Sequence, residues 1–231
     1  MISVTSFEGG NFLRILHPDG SLVRALALPD ATIGLGCAVW SPDATHLACE
    51  GWDDAHPDRI GLYTVLASDG SALTRLTSPT DGMHDIPGDY SPDGTQIAFV
   101  HVTSDQRETG QLWMVNADGS NAHRVSDLQI GWGVRWSPDG RWIAGDSNRS
   151  LVIFDAADLS AAPRVIKLPG PGLGLPAFGA SWSPDGSRLA FSVLARGSQP
   201  DIATIAIDGT DLWILTNDPA KEEFADWGLP Q

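Results

Sequence analysis

The 231 residues are 42% hydrophobic and 19% charged, enough for one sizeable core and marginal for two. Lys and Arg number 14 against 29 Asp and Glu, and the resulting charge of −15 repels phosphate backbones, which argues against nucleic acid as a partner. The absence of any run of about 18 apolar residues excludes a transmembrane helix and membrane insertion, and two cysteines are too few for a disulfide scaffold or a cysteine-built zinc site.

The first residues, Met1 to Glu8, have neither a basic start nor an apolar run, so no signal peptide is read there. The expected compartment is the cytoplasm if Met1 is the native start, and the periplasm or the extracellular space if an export signal has been removed. Residues 1–26 then read as three short strands, 2–6, 12–17 and 22–26, the last two joined by the turn Pro18-Asp19-Gly20. From residue 34 onward a unit recurs. Trp40-Ser41-Pro42-Asp43, Tyr90-Ser91-Pro92-Asp93-Gly94, Trp136-Ser137-Pro138-Asp139-Gly140 and Trp182-Ser183-Pro184-Asp185-Gly186 follow one another at spacings of 50, 46 and 46, and Trp227 comes 45 later. Proline presets the second position of a tight turn and glycine suits the fourth, so each tetrad closes a hairpin.

Each tetrad leads into an apolar strand with alanine at a fixed place, as in Ile97-Ala98-Phe99 and Leu189-Ala190-Phe191. A variable loop follows, then third strands at 61–66, 111–116, 151–154 and 202–207. Second turns at Asp69-Gly70, Asp118-Gly119 and Asp208-Gly209 lead to fourth strands at 73–76, 122–125, 164–168 and 211–215. Four antiparallel strands repeating every 45 to 50 residues describe an all-β chain, a β-propeller. Residues 1–26 lack a first strand, and residues 224–227 supply an unattached one. Joining them closes a ring of five four-stranded blades, and 231 residues over five blades is about 46 each. The expected single domain spans 1–231. Its blades are 1–30 plus 222–231, 34–80, 84–128, 130–170 and 176–217. The rival is a fragment of a longer ring.

The Trp-Ser-Pro-Asp-Gly signature and its spacing resemble the TolB-like family of propellers, whose repeat is also called WD40-like or PD40; residues 216–220 leading to Asp226-Trp227 resemble that family's inter-blade segment. The resemblance implies protein–protein interaction, as in envelope complexes. It also extends to the propellers that gate prolyl-oligopeptidase-like hydrolases. Ala44 departs from the pattern by replacing the turn glycine, Asp158-Leu159 replaces Asp-Gly, and Trp227 is followed by Gly-Leu-Pro. The separate N-terminal domain of TolB itself is not in this chain, so that protein is not expected.

No Gly-x-Ser-x-Gly elbow, phosphate loop, dinucleotide fingerprint or His-Glu-x-x-His occurs, and no catalytic residue is assigned. The turn aspartates are expected to hold local backbone groups, and the repeated aromatics, together with Trp113, Trp142 and Trp213, to be packing. Recognition is expected on the variable loops, where a rigid scaffold presents changeable residues. The densest segment there is residues 50–59, with Trp52, Asp53, Asp54 and His56. The other candidates are His84, Asp85 and Asp89 before an innermost strand, His101 with Asp105 and Arg107, Trp132 with Arg135, Asp146 with Arg149, and Glu222, Glu223 and Asp226.

Asp89 and Asp226, converging in a channel mouth, would raise each other's pKa. Three such carboxylates would imitate a glycosidase. No cofactor is expected. Calcium at Asp53, Asp54 and Asp58, with His56, is the one metal option, although the glycine-marked calcium loop is missing and a solvated acidic loop is the plainer reading. Cys37 and Cys49 fall opposite each other on paired strands, so a cross-strand disulfide is sterically open beside the plainer expectation of two buried free thiols. The expected function is a non-enzymatic module that binds a protein, a peptide or a small polar or cationic ligand at the variable rim and channel mouth. A carbohydrate hydrolase, the detached gating propeller of a peptidase and a structural ring without a ligand are the alternatives.

Overall fold

The computed structural model describes residues 2–6, 12–80, 82–103, 106–131, 133–169, 176–194, 199–217, 219–223 and 225–227. Strands β1 (Ile2–Ser6), β2 (Phe12–Leu16) and β3 (Leu22–Leu26) form a three-stranded sheet. The second sheet holds β4 (Gly34–Trp40), β5 (His46–Trp52), β6 (Gly61–Leu66) and β7 (Thr74–Arg75), with a 3-10 turn, Pro57–Arg59, between β5 and β6. The third holds β8 (Met83–Tyr90), β9 (Gln96–Thr103), β10 (Gln106–Asn116) and β11 (His123–Ile130). The fourth holds β12 (Arg135–Trp136), β13 (Trp142–Ser147), β14 (Ser150–Asp155) and β15 (Arg164–Ile166). The fifth holds β16 (Ala177–Trp182), β17 (Arg188–Val193), β18 (Asp201–Ala206) and β19 (Trp213–Ile214). Every sheet pairs its strands in sequence order.

The chain divides into two compact units, Met1–Arg107 with Trp113–Arg124, and Glu108–Leu112 with Val125–Gln231. In the first, Trp40 packs against a buried cluster that includes Leu13, Ile15 and Leu26, and Tyr90 shares a buried cluster with Val39, Ala48 and Leu62. In the second, Trp182 is buried with Ala144, Leu151 and Ile153, and its indole N–H donates to the Arg135 carbonyl at 3.0 Å. The aromatic that ends a first strand thus seats on the preceding sheet. The fixed alanine keeps that seat shallow enough for a large ring. Central strands are buried on both faces, which is why Leu47-Ala48-Cys49 reads as a continuous apolar run and shows no exposure.

Each Ser-Pro-Asp turn is saturated by its own residues. In the third sheet Gly94 N–H donates to Ser91 O at 2.8 Å, Ser91 Oγ to Asp93 Oδ1 at 2.6 Å, and Thr95 N–H to the same oxygen at 3.0 Å. Gln96 N–H closes the corner on Ser91 Oγ at 2.9 Å. The corner recurs around Asp43, Asp139 and Asp185. Backbone bonds from Ala67 to Thr45 (2.9 Å), Ala117 to Thr95 (2.8 Å), Ala156 to Arg141 (3.0 Å) and Ile207 to Ser187 (3.1 Å) tie the second turn of each four-stranded sheet to the first. Both repetitive turns therefore share one end of their sheet.

Several expectations change. β9 runs to Thr103, β10 starts at Gln106 rather than 111, and β11 extends to Ile130, so long strands replace much of the loop expected around His101. His84, Asp85 and Asp89 lie within β8 rather than ahead of a strand, because the register carries pairing back to Met83↔Thr103. Trp213 is 60% exposed on the last strand of its sheet rather than packed, its N–H donating to Asp211. The free-thiol expectation is also corrected. Cys37 and Cys49 are register partners with Cα atoms 3.9 Å apart, and they are bonded. Residues 225–227, expected to complete the first sheet, are not in a strand, and Phe224 lies outside the described residues.

Candidate functional site

Within the first unit, the end of the second sheet away from its repetitive turns gathers carboxylate, imidazole and indole side chains around one cavity. β5 delivers Glu50 and Trp52 to that end, the following loop delivers Asp53 and Asp54, and β8 contributes His84. Together with Gly36, Pro57 and Ile60 they line a cavity of about 560 Å³. That volume lies in the range of small-ligand pockets, roughly 300–1,000 Å³.

Trp52 pairs with Gly34 across the sheet. A methyl group built on Gly34 would stand 2.5 Å from the indole Cε2, and one on Gly36 would stand 3.5 Å from Cζ3. Glycine in β4 therefore lets the indole lie over the strand backbone. Glu50 is fixed by His84, whose Nδ1 stands 2.8 Å from Oε1, with both side chains largely buried.

Asp53, 5% exposed, organises the loop. It accepts the backbone N–H groups of Ala55 (3.0 Å) and His56 (3.2 Å), with the His56 ring nitrogen at 3.2 Å and Arg59 at 2.8 Å. Burial pushes its carboxyl up, but the Ala55 amide, the His56 ring and Arg59 outweigh burial and leave it below the ordinary value. Arg59 also grips Asp30 and donates to Thr32 at 2.8 Å. The hydroxyl and amide of Thr32, then Arg59, hold Asp30 down at about 2. Asp53 is thus the internal post of a folded loop. Asp54, Asp58 and the His56 residue as a whole are exposed. Among the described residues no group of three or more His, Cys, Asp and Glu side chains converges at metal-binding distance.

A second polar cluster sits on β8 and β9. Asp85 and His101 are register partners, and Nδ1 of His101 stands 2.6 Å from Oδ1 of Asp85, which is 2% exposed. Thr77 donates its hydroxyl to the other Asp85 oxygen and accepts Leu62 N–H at 2.8 Å. The His101 ring lies 5.0 Å from that of Trp113. A buried carboxylate thereby fixes the orientation of an imidazole.

The remaining candidates are dispersed. Asp89 is half-buried beside a bulge in β8. In the second unit, Arg135 donates to the Val134 carbonyl at 2.9 Å, and Glu223 pairs with Lys221 at 2.9 Å. Glu222 is half-buried, and exposed Asp226 accepts the amide of Trp227 at 2.9 Å. Asp105, Trp132 and the side chain of Arg107 lie outside the described residues. Asp146 differs from the turn aspartates: burial raises its carboxyl despite the amide of Gly179 at 3.2 Å. Thr77, Asp30 and the glycine seat of Trp52 were not singled out in the sequence. Their partners are 8 to 29 residues away, and the one local hint was the Asp30-x-Thr32 turn pattern.

No family model matches the chain. An uncharacterized protein of Agrobacterium fabrum is 32% identical over 162 residues, 66% of this chain and 52% of that protein. The Tol-Pal system protein TolB of Anaeromyxobacter dehalogenans is 34% identical over 126 residues, 52% of this chain and 27% of TolB. Among solved structures, TolB from Acinetobacter baumannii superposes with a TM-score of 0.69 over 92% of this chain and 50% of that one, at 20% identity. The chain resembles the TolB-like β-propellers. It spans about half the length, or less, of the relatives it matches. Puromycin hydrolase shares the fold of this TolB-like chain at a TM-score of 0.66 and 16% identity, over 98% of this chain and 40% of that one. An oligogalacturonate lyase in complex with manganese shares it at 0.63 and 15%, over 89% and 58%.

Proposed function

We propose that this TolB-like chain is a non-enzymatic binding module that holds a protein or peptide partner at the loop end of its second and third sheets. The observation that carries this reading is the contrast between the two ends of the second sheet. The turn end also borders a cavity, of about 720 Å³, but there Asp43 and Asp93 bond within their own turns, while the other end surrounds a cavity of about 560 Å³ with Glu50, Trp52, Asp54 and His84. The Tol-Pal membership named for its TolB relative supports a protein partner. The Cys37–Cys49 bond supports an oxidising compartment, hence the periplasm or beyond.

The test is capture of partners from native extract by the wild-type chain and by a triple variant, Glu50→Gln, Trp52→Leu and Asp54→Asn, with Asp53 left intact because it holds the loop. Loss of a captured protein in a variant of unchanged melting temperature is the expected result. Undiminished capture overturns the placement of the site.

A closed five-bladed ring belongs to the same reading, with residues 225–227 lying beside 2–6 although they are not in a strand. A cysteine scan that pairs Val4 with Ala225, Asp226 and Trp227 in turn tests it, and the absence of any cross-link overturns it. The alternative is a hydrolase or a peptidase gate, favoured by the Asp85-oriented His101 and by the fold shared with puromycin hydrolase. Hydrolysis of glycoside substrates by the isolated chain, abolished by His101→Ala, would establish the hydrolase, and peptide hydrolysis only with an added peptidase domain would establish the gate.

A further inference from the structure

We propose that the crevice between the second and third sheets, at their turn end, is a second site that takes a neutral, hydroxyl-rich ligand of mono- or disaccharide size. It is distinct from the loop-end cavity and does not depend on what binds there. The crevice encloses about 720 Å³, within the range of small-ligand pockets. The corners of the two sheets flank it, close enough that a methyl group built on Gly94 would stand 3.7 Å from Pro42 Cδ.

Two polar side chains on its wall set this interface apart. Thr64, the register partner of the fixed Ala48, is 7% exposed, and Tyr90, the aromatic that ends β8, is 5% exposed. Among the described residues neither hydroxyl has a hydrogen-bond partner, yet neither is sealed off from the crevice. A buried tyrosine hydroxyl usually finds a partner. Between the fourth and fifth sheets the same two places hold Ile153, opposite Ala144, and Trp182. Those two share one apolar cluster, and the indole N–H is spent on the Arg135 carbonyl. In the fifth sheet the place of Thr64 is taken by Thr204, whose hydroxyl accepts from Arg188 at 3.2 Å. The second and third sheets instead meet through a threonine and a phenol that await a partner.

The rim supplies the complementary half. Asp43, Asp93 and Asp118 each spend one carboxylate oxygen, Oδ1, on their own turn, and among the described residues nothing bonds to the other. Ser41 and the Thr45 amide hold Asp43 at about 2, so it remains a charged acceptor at neutral pH. Burial, and then the charge of Asp43, pushes Tyr90 up to about 12, so the phenol keeps its proton. Carboxylate oxygens only accept, whereas the hydroxyls of Thr64 and Tyr90 donate as well as accept. A sugar hydroxyl does both, so it can donate to the rim and accept from the wall. The exposed rings of Pro42 and Pro92 offer apolar cover to the C–H face of a pyranose. An ammonium head only donates and would leave both wall donors unanswered. The rim carboxylates repel uronates and sugar phosphates, which leaves neutral sugars.

Saturation-transfer NMR on the full chain, with maltose, cellobiose, lactose and N,N′-diacetylchitobiose as probes, tests the site. Transfer to at least one sugar is expected. Tyr90→Phe, which removes only the hydroxyl, is expected to weaken that sugar by about tenfold. Thr64→Ile combined with Tyr90→Trp rebuilds the pattern of the fourth and fifth sheets and is expected to abolish binding; if it lowers the melting temperature, Tyr90→Phe decides. Asp208→Asn, on the second turn of the fifth sheet, leaves binding unchanged. The methyl glycoside of the bound sugar separates two sources. Equal binding assigns the end of a longer glycan, and its loss assigns a free reducing sugar. Absence of transfer to every sugar, or undiminished binding in both wall variants, overturns the proposal. Tetramethylammonium bound more tightly than any of the sugars overturns it too. Protein capture at the loop end is read separately, through the triple variant, so either site can fail while the other stands.

Discussion

Ala44 occupies the turn position held by glycine in the other three Ser-Pro-Asp corners, and it does so with φ at 56°, against 74°, 72° and 70° for Gly94, Gly140 and Gly186. Ser41, Asp43 and the hydrogen bonds they make match those of the other corners, so the alanine is held in a left-handed backbone. That conformation costs an L-residue about 1–2 kcal/mol. Glycine would relieve it but would enlarge the unfolded ensemble by roughly 0.4–1 kcal/mol. Relief outweighs entropy, so Ala44→Gly is expected to stabilise the chain by about 0.5–1 kcal/mol; a lowered urea midpoint would contradict this.

The same corners set the response to acid. Ser41 and the Thr45 amide hold Asp43 at about 2, and Ser183 and the Ser187 amide do the same for Asp185. Ser91 and Ser137 lower Asp93 and Asp139. A carboxyl depressed in the folded state contributes stability above its unfolded value, near 3.9, and loses it as pH falls through the folded one. Denaturation midpoints are expected to be flat above pH about 5 and to fall between about 4 and 2. Asp185→Asn should lower the neutral plateau and flatten the fall.

At the level of strands, the bond between Cys37 and Cys49 clamps β4 to β5 next to two cavity residues, Gly36 and Glu50. The bridge spans 12 positions. For a loop of that size the chain-entropy account gives about 2–3 kcal/mol. Reduction is therefore expected to lower unfolding free energy by that amount in guanidinium titrations with and without reductant. An unchanged midpoint would show that strand pairing alone holds the hairpin. The turn between the two cysteines brings their strands together, because hairpin register follows from loop length. Their direct opposition was not legible, since Trp40↔Leu47 and Val39↔Ala48 continued outward would set Cys37 against Glu50, and a bulge between Cys37 and Val39, which has no residue signature, moves it onto Cys49. Strand interiors were likewise readable from apolar runs and tetrads. The extra length of β10 was not, because polar residues 106–110 carry no strand pattern. Glu50 and His84 are 34 residues apart, and no local spacing predicts their meeting.

For the molecule as a whole, the charge of −15 acts at a distance on any basic partner. Association with a basic peptide should slow and weaken as salt is raised from about 0.01 M to 0.15 M, where the screening length shrinks from about 30 Å to 8 Å. Salt-independent binding would mean that contact chemistry alone carries the affinity. The repeat made the architecture legible because packing depends on the recurring aromatic, alanine and turn residues. The site lies in stretches where no two repeats agree, so it could be located only as a region. The self-contained corner at each Ser-Pro-Asp has an evolutionary corollary. A duplicated blade arrives with its hairpin already wired, requiring nothing from its new neighbours, so selection is at liberty to rewrite the opposite ends one copy at a time.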